Sequence, residues 1–286
     1  THVQTADFLT RGSFNISGWL ATVSLAALWQ IAFAPYVSDY SRYLPANVPV
    51  AATFWTTYLG TVLGSSLSFI FGAVAVLATP AGMDTMDAVK LATGSIGPLM
   101  LVLFLLSVIS HNALNLYGAV LSLITLVQTF AYRWIPTAKS RAAISIIVLA
   151  GCCFAAVGAS ADFIGHFVDM VLVLLVVLVP WTAINLIDFY AIHQGKYDIN
   201  SIFQVDGGIY GRYNPQALLA YAIGIVVQIP FMNTPLYVGP ISEHINGADL
   251  SWLVGLLLTS PLYYWLANRD SAYKRRLSTG KLANSN

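Results

Sequence analysis

Residues 19–45, WLATVSLAALWQIAFAPYVSDYSRYLP, run from an apolar helix through Gln30, Phe33, Ala34 and Pro35 into the polar, aromatic segment Tyr36-Val37-Ser38-Asp39-Tyr40-Ser41-Arg42-Tyr43. Proline has no backbone N–H, and its ring clashes with the carbonyl four residues earlier. Inside an apolar span it frees backbone polar groups that lipid cannot satisfy, so a break of this kind is tolerated only where it is buried in protein or lines a cavity. Secondary transporters place discontinuous helices near the bilayer midplane, where freed N–H and C=O groups hold substrate and coupling ions. The stretch therefore predicts a broken membrane helix at a binding site. A plain proline kink followed by an interfacial Tyr/Arg anchor fits the same residues equally well.

The rest of the chain has the same character. Its 286 residues are 57% hydrophobic and 9% charged, with a mean hydropathy of +0.72, whereas a soluble domain carries about 25% charged residues. The apolar runs reach helix-spanning length and do not alternate with period two, which predicts an all-α integral membrane protein and excludes a barrel. The net charge is +1, and no basic run of the kind that binds nucleic acid is present. Cys152 and Cys153 are adjacent within an apolar run and read as buried thiols, not as a disulfide or a metal site. The chain opens on Thr1, and its first 17 residues, THVQTADFLTRGSFNIS, lack the basic and apolar regions of a signal peptide. A fragment or a processed chain is expected.

Runs of about 20 apolar residues mark membrane spans, and seven are predicted, near 18–36, 52–79, 99–130, 142–160, 163–190, 217–237 and 250–267. Between the second and third, Met83, Met86, Val89 and Leu91 with Asp84, Asp87 and Lys90 predict a short amphipathic surface helix, either capping a cavity mouth or serving as an interfacial connector. Placing the C-terminal tail in the cytoplasm puts Arg42, Arg133, Lys139, Arg141, Lys196, Arg212, Arg269, Lys274, Arg275, Arg276 and Lys281 on that side. Only Arg11 and Lys90 fall on the other. This eleven-to-two division of the 13 basic residues follows the positive-inside rule and leaves the N-terminus outside. An odd number of spans with an external start predicts that earlier spans are missing.

Of the 12 acidic residues, Asp169 alone is expected inside a span. An intramembrane carboxylate is costly and marks an ion or proton site, or a structural hydrogen-bonding partner between helices. In the third span Ser107, His111, Asn115 and Ser122 share one face, with Ser110 and Gly118 at its edge and Asn112 beside it. Asn offers both donor and acceptor, which suits the edge of a heterocycle, and a serine hydroxyl can ligate Na⁺. His111 either carries a proton or is a neutral imidazole bonded to the Ser107 carbonyl or a neighbouring helix. Pro180, Trp181 and Asn185 predict a kink near the cytoplasmic end of the fifth span. Gly207, Gly208 and Gly211 in the connector that follows read as turn glycines, not as a phosphate loop. Gln228, Pro230, Asn233, Pro235 and Pro261 occur in the last two spans, whose Tyr263, Tyr264 and Trp265 read as an interfacial belt. These spans are assigned no chemistry.

Three stretches together carry a resemblance: PYVSDYSRYLP at 35–45, SHNALNLYGAVLSL at 110–123, and NLIDFYAIHQGKYDINSIF with GGIYGRYN within 185–214. They resemble the purine–cytosine permeases of the nucleobase:cation symporter family, over nearly the whole chain. The resemblance implies a LeuT-like fold of about twelve spans, two inverted five-helix repeats followed by two extra helices. The seven spans would then be helices six to twelve. Residues 1–17 form an extracytoplasmic lead-in, 18–190 the second repeat, 191–216 a cytoplasmic connector, 217–267 the extra helices and 268–286 a cytoplasmic tail. By the same resemblance Phe33 stacks on the substrate, Asn115 hydrogen-bonds it, and the broken backbone of Gln30 to Ala34 completes the pocket. Ser110 offers a hydroxyl to Na⁺, but Ile109 beside it leaves the sodium site incomplete, so proton coupling is the alternative. His111 and Asp169 are candidate coupling groups.

The expectation is thus a plasma-membrane symporter for cytosine, a purine or a related heterocycle. It works by alternating access, with Na⁺ or H⁺ as coupling ion, no other cofactor and no enzymatic activity. Membrane lipid and the absent first-repeat helices are its expected partners. The rival is a half-permease remnant or incomplete gene product without transport of its own. An intramembrane enzyme would need clustered catalytic residues such as His-Glu-x-x-His, and none is found.

Overall fold

The computed structural model describes residues 14–41, 43–45, 47–77, 83, 85–131, 133–158, 163–234, 236–245 and 247–270. Most of the lead-in, Arg42, Asp84, Asp162, Pro235 and the tail from 271 lie outside the described residues. The chain is helical almost throughout, with helices α1 (Ile16–Ser41), α2 (Val50–Leu77), α3 (Thr85–Thr93), α4 (Gly97–Phe130), α5 (Ala138–Gly158) and α6 (Phe163–Ile187). There follow α7 (Ile199–Ile202), α8 (Pro215–Val226), the strands β1 (Asn233–Thr234) and β2 (Tyr237–Val238), α9 (Pro240–His244) and α10 (Ser251–Arg269). Five helices are long and apolar enough to cross a membrane: α1, α2, the run Met86–Phe130, α5, and the run Gly165–Ile192 that contains α6.

Two expectations about the spans need correction. The sixth helix stops at Val226, after 12 residues, or about 18 Å at 1.5 Å per residue. Pro230 has no N–H to give the Val226 carbonyl, so the chain turns there. It continues through a 3-10 turn, Ile229–Phe231, into the antiparallel pair Asn233↔Val238 and Thr234↔Tyr237. The seventh, α10, is a 19-residue helix as expected, but Thr259, Ser260, Asn268 and Arg269 make it less apolar than the other five. The break at Pro35 is also absent. Helix α1 runs unbroken from Ile16 to Ser41 with Pro35 inside it.

The chain divides into two compact units, and the division passes through α1 between Ala32 and Phe33. The first unit contains α1 from Phe33 onward and helices α2 to α5. Helix α3 packs on both α2 and α4, burying Ala88 and Val89, while Met83 and Met86 of its expected apolar face are exposed. Gly97 opens α4 where a Cβ would lie 2.8 Å from the Lys90 carbonyl oxygen, so α3 and α4 meet at a corner that only glycine fits. None of the residues of α5 is buried. Cys152 and Cys153 are free and exposed, not buried as expected. An apolar thiol needs no protein cover on a membrane helix, because hydrocarbon is as apolar as a protein core.

The second unit holds α1 up to Ala32 and everything from residue 161. Helix α10 packs against α6 and α8. Its apolar core joins Leu28 of α1 to Leu175 and Val179 of α6, with Trp252 and Leu256 of α10 against them. Pro180 deprives the Val176 carbonyl of its helical donor, and the side chain of Gln228, fully buried, replaces it. Gln228 Nε2 donates to Val176 O at 3.0 Å and to Gly224 O at 2.8 Å. Two glycines make room for this contact. A Cβ on Gly255 would lie 2.6 Å from the Gln228 amide carbon, and one on Gly224 would lie 2.4 Å from Thr259 Oγ1 and 2.8 Å from Pro180 Cβ.

Helix α6 ends in a π-helical turn, Asp188–Ile192, whose carboxylate gathers the second polar cluster. Tyr263 Oη of α10 donates to Asp188 Oδ1 at 2.5 Å and Tyr197 Oη to Oδ2 at 2.7 Å. His193 Nδ1 stands 3.1 Å from the same Oδ2, its ring stacked on Tyr197 at 4.5 Å. Asn214, which caps α8 by accepting from the Ala217 N–H, also donates to Tyr263 Oη at 3.3 Å. Tyr263 is therefore 1% exposed and is not part of an interfacial belt, whereas Tyr264 and Trp265 are exposed. In the connector Gly207, Gly208 and Gly211 have positive φ and form a tight 3-10 turn, in keeping with turn glycines.

The loop between α8 and α10 is fixed by Asp249. Its carboxylate accepts from Ser251 N–H at 2.8 Å, Ser251 Oγ at 2.6 Å and Asn233 N–H at 3.1 Å. Ser24 of α1 places its hydroxyl 3.3 Å from the Asp249 carbonyl oxygen.

Gln228→Leu leaves the Val176 carbonyl unsatisfied and is expected to destabilise the protein by about 1–3 kcal/mol, read as a lower unfolding midpoint in detergent. Pro180→Ala in that background restores the helical N–H and recovers part of the loss; a Gln228→Leu protein as stable as the parent would refute the assignment. Tyr263→Phe removes a hydrogen bond to a carboxylate and should cost about 1.5–3 kcal/mol by the same measurement.

Candidate functional site

In the first unit the end of α1 supplies a dense aromatic stripe. Phe33, Tyr36, Tyr40 and Tyr43 follow at intervals of three or four residues, the spacing that sets side chains on one helix face. Phe33 stacks on Tyr36 with centroids 5.9 Å apart and an interplanar angle of 19°, and meets Tyr40 at 6.4 Å and 60°.

Two cavities adjoin this stripe. The first, about 330 Å³, lies between α1 and α2 and is lined by Phe33, Val37, Tyr40, Ser41, Leu44, Val48, Ala52, Thr53, Thr56 and Thr57. Several of its hydroxyls spend their proton on their own backbone. Ser41 Oγ donates to Ser38 O at 3.1 Å, Thr53 Oγ1 to Pro49 O at 3.4 Å and Thr56 Oγ1 to Ala52 O at 2.7 Å. What they retain is acceptor capacity. The second cavity, about 270 Å³, lies between α1 and α4 and is lined by Tyr36, Asp39, Tyr40, Tyr43, Leu114, Tyr117 and Gly118. The Tyr36 ring stands opposite Gly118, where a Cβ would lie 3.9 Å from Tyr36 Cε1. Tyr43 Oη and Tyr117 Oη are 3.3 Å apart.

The sequence-predicted residues are distributed as follows. Phe33 is half-buried and lines the first cavity. Asn115 is half-buried on α4, and its neighbours Leu114 and Gly118 line the second cavity, so the two expected substrate contacts do not share a described cavity. Ala34 is exposed. Gln30 falls in the other unit, within an intact helical turn, so the open backbone expected from Gln30 to Ala34 is not there. A single missing hydrogen bond at Pro35 is compatible with a continuous 26-residue helix. Ser110 and His111 are exposed on α4. The Ser110 hydroxyl donates to Leu106 O at 2.9 Å, which leaves its oxygen able to accept. Among the described residues no hydrogen bond joins His111 to the Ser107 carbonyl. Asp169 is half-buried on α6, in the second unit.

Sequence reasoning missed Asp39 and the tyrosines around it as a group. The signal was available in part, since Tyr36, Asp39, Tyr40 and Tyr43 follow helical spacing. What brings Tyr117 and Gly118 to them is helix packing, which has no local signature.

Against this architecture, the family described as permease for cytosine/purines, uracil, thiamine and allantoin matches residues 3–255. The chain is 34% identical over 274 residues to YxlA of Bacillus subtilis, whose name assigns it provisionally to the purine-cytosine permeases; the match covers 94% of this chain and 59% of that protein. It is 24% identical over 252 residues to the purine-cytosine permease fcyB of Emericella nidulans, covering 81% of this chain and 47% of that protein. The chain thus spans about half the length of the curated relatives it matches. No solved structure matches it. The match across most of the chain, on a run of membrane-spanning helices, makes this a multi-pass membrane protein of the cytosine/purine permease family and not an enzyme.

Proposed function

We propose that the chain forms part of a secondary active transporter for cytosine, a purine or a related heterocycle, working by alternating access and coupled to Na⁺ or H⁺. The observation that carries this reading, beside the family match, is the polar face of α4. Ser107, Ser110, His111 and Asn112 are all exposed there on one of the five helices apolar enough to cross a membrane. Hydrocarbon offers these groups no hydrogen bonds, and polar side chains in membrane helices face protein or a water-filled cavity. In this reading α4 faces a substrate path, completed by helices of a first inverted repeat in a LeuT-like fold.

Within that site Phe33 offers a flat apolar face to a planar base, and Asn115 offers donor and acceptor to its edge. Gln30 lies about one turn before the stacking position on α1 and Ala34 directly after it. Ser110, His111 and Asp169 are the groups available for coupling, the first by an oxygen toward Na⁺ and the others by carrying a proton or charge. In this reading the protein lies in the plasma membrane, and the excess of basic residues on one side supports a cytoplasmic C-terminus.

Asn115→Ala in the full-length transporter is expected to reduce uptake of radiolabelled cytosine to background while surface insertion stays normal. Phe33→Leu should raise the half-saturating concentration about tenfold, and Phe33→Trp should restore it. Unchanged uptake in Asn115→Ala would reject the assignment, and repeating the uptake with Na⁺ replaced by choline-free K⁺ buffer at two pH values identifies the coupling ion.

A further inference from the structure

The cavity between α1 and α4 has a chemistry distinct from that of a site for a neutral base. Four tyrosines line it: Tyr36, Tyr40 and Tyr43 from the end of α1 and the turn after it, and Tyr117 from α4. The rings of Tyr36 and Tyr40 are 6.4 Å apart and inclined at 41°, so they present faces to different sides of the space. The contact between the Tyr43 and Tyr117 hydroxyls, at 3.3 Å, closes a third side. Among the described residues of the lining, Asp39 is the one that carries charge. It is half-buried, and among the described residues no hydrogen bond or ion pair reaches its carboxylate. Leu114 and Gly118 add no polar side chain.

Each tyrosine ring carries negative potential on its face, and several rings around one carboxylate form a field that attracts a weakly hydrated positive charge. A carboxylate only accepts hydrogen bonds and is costly to leave half-buried without a counter-charge. A neutral heterocycle could donate N–H bonds to Asp39 and the tyrosine hydroxyls but would leave the carboxylate charge unbalanced, whereas a small quaternary ammonium or alkylated-ring cation matches both the aromatic lining and the charge. We infer that the Tyr36–Asp39–Tyr40–Tyr43–Tyr117 cavity is a binding site for a small organic cation. It contains neither Phe33 nor Asn115 and stands independently of the base site proposed above.

The test uses the full-length protein that carries this chain, reconstituted in nanodiscs of phosphatidylglycerol. Binding of radiolabelled choline is compared with that of its uncharged isostere 3,3-dimethylbutan-1-ol. Choline is expected to bind at least about tenfold more tightly, and Asp39→Asn and Tyr36→Leu each to weaken it about tenfold or more, while Tyr36→Phe keeps the ring and the binding. Size-exclusion profiles matching the parent's show that the variants fold; the conservative pair Asp39→Asn and Tyr36→Phe carries the test if Tyr36→Leu does not. The same chemistry is present in choline lipids. Loss of soluble choline binding when the discs are made of phosphatidylcholine would assign the site to the headgroup, and equal binding in both discs to a free cation. Equal affinity for choline and its isostere, or choline binding unaffected by Asp39→Asn, would overturn the inference. Loss of cytosine uptake in Asn115→Ala, or its absence, has no bearing on this outcome.

Discussion

The carbonyl of Val176 has no helical donor, because the residue four positions on is Pro180, and within a membrane no water is at hand to supply one. Gln228 supplies it from 52 residues away. Much of the second unit follows from this requirement. Gln228 must be buried where α6, α8 and α10 converge, so α10 must approach α8 closely enough that only glycine fits at 255, and α8 must approach α6 closely enough that only glycine fits at 224. In the same unit the Asp188 carboxylate draws hydroxyls from the connector and from α10 to the end of α6. Apolar side chains in lipid gain little from burying against one another, and these polar contacts together with small-residue packing supply the specificity that hydrophobic collapse supplies in water.

The first unit is organised differently. Few of its residues are buried: Ala75, Ala88, Val89, Val120 and Ile124 among its hydrophobic side chains. Its polar groups are spread along exposed helix faces, as on α4, or gathered at open cavities, as around Asp39. A membrane helix with an exposed polar stripe is suited to lining a path for polar solutes or to receiving further helices. The second unit buries polar side chains such as Gln228, Ser242, Asp249 and Ser251, whereas the first carries the aromatic stripe from Phe33 to Tyr43 on an open surface. Phe33, Asn115 and the tyrosines around Asp39 all lie on that stripe or on α4.

Proline had two outcomes in this chain. At Pro180 the lost donor was replaced by a distant side chain and the helix continued; at Pro230 the helix had already ended. At Pro35 the helix also continued, against the expectation of a break, and the division between the units falls just before it, between Ala32 and Phe33. Proline in an apolar span signals a backbone group to be satisfied, but not the manner in which it is satisfied.

Composition and period alone determined that the protein is helical and membrane-spanning, because runs of about 20 apolar residues have few other soluble or barrel solutions. The resemblance carried by the segments at 35–45, 110–123 and 185–214 likewise sufficed for the family, since such motifs are local strings. Asp169 and the polar stripe of α4 were legible for the same reason: a polar residue inside an apolar run is conspicuous. Gln228, Tyr263 and Gly224 were not, although they stand in plain sequence, because their roles depend on partners 35 to 75 residues away. The tyrosines around Asp39 lie between these cases, their helical spacing visible in the sequence and their closure by Tyr117 fixed only by packing. The limits of α8 and the burial of Tyr263 were likewise decided in three dimensions, where the Val176 carbonyl and the Asp188 carboxylate find their partners on other elements.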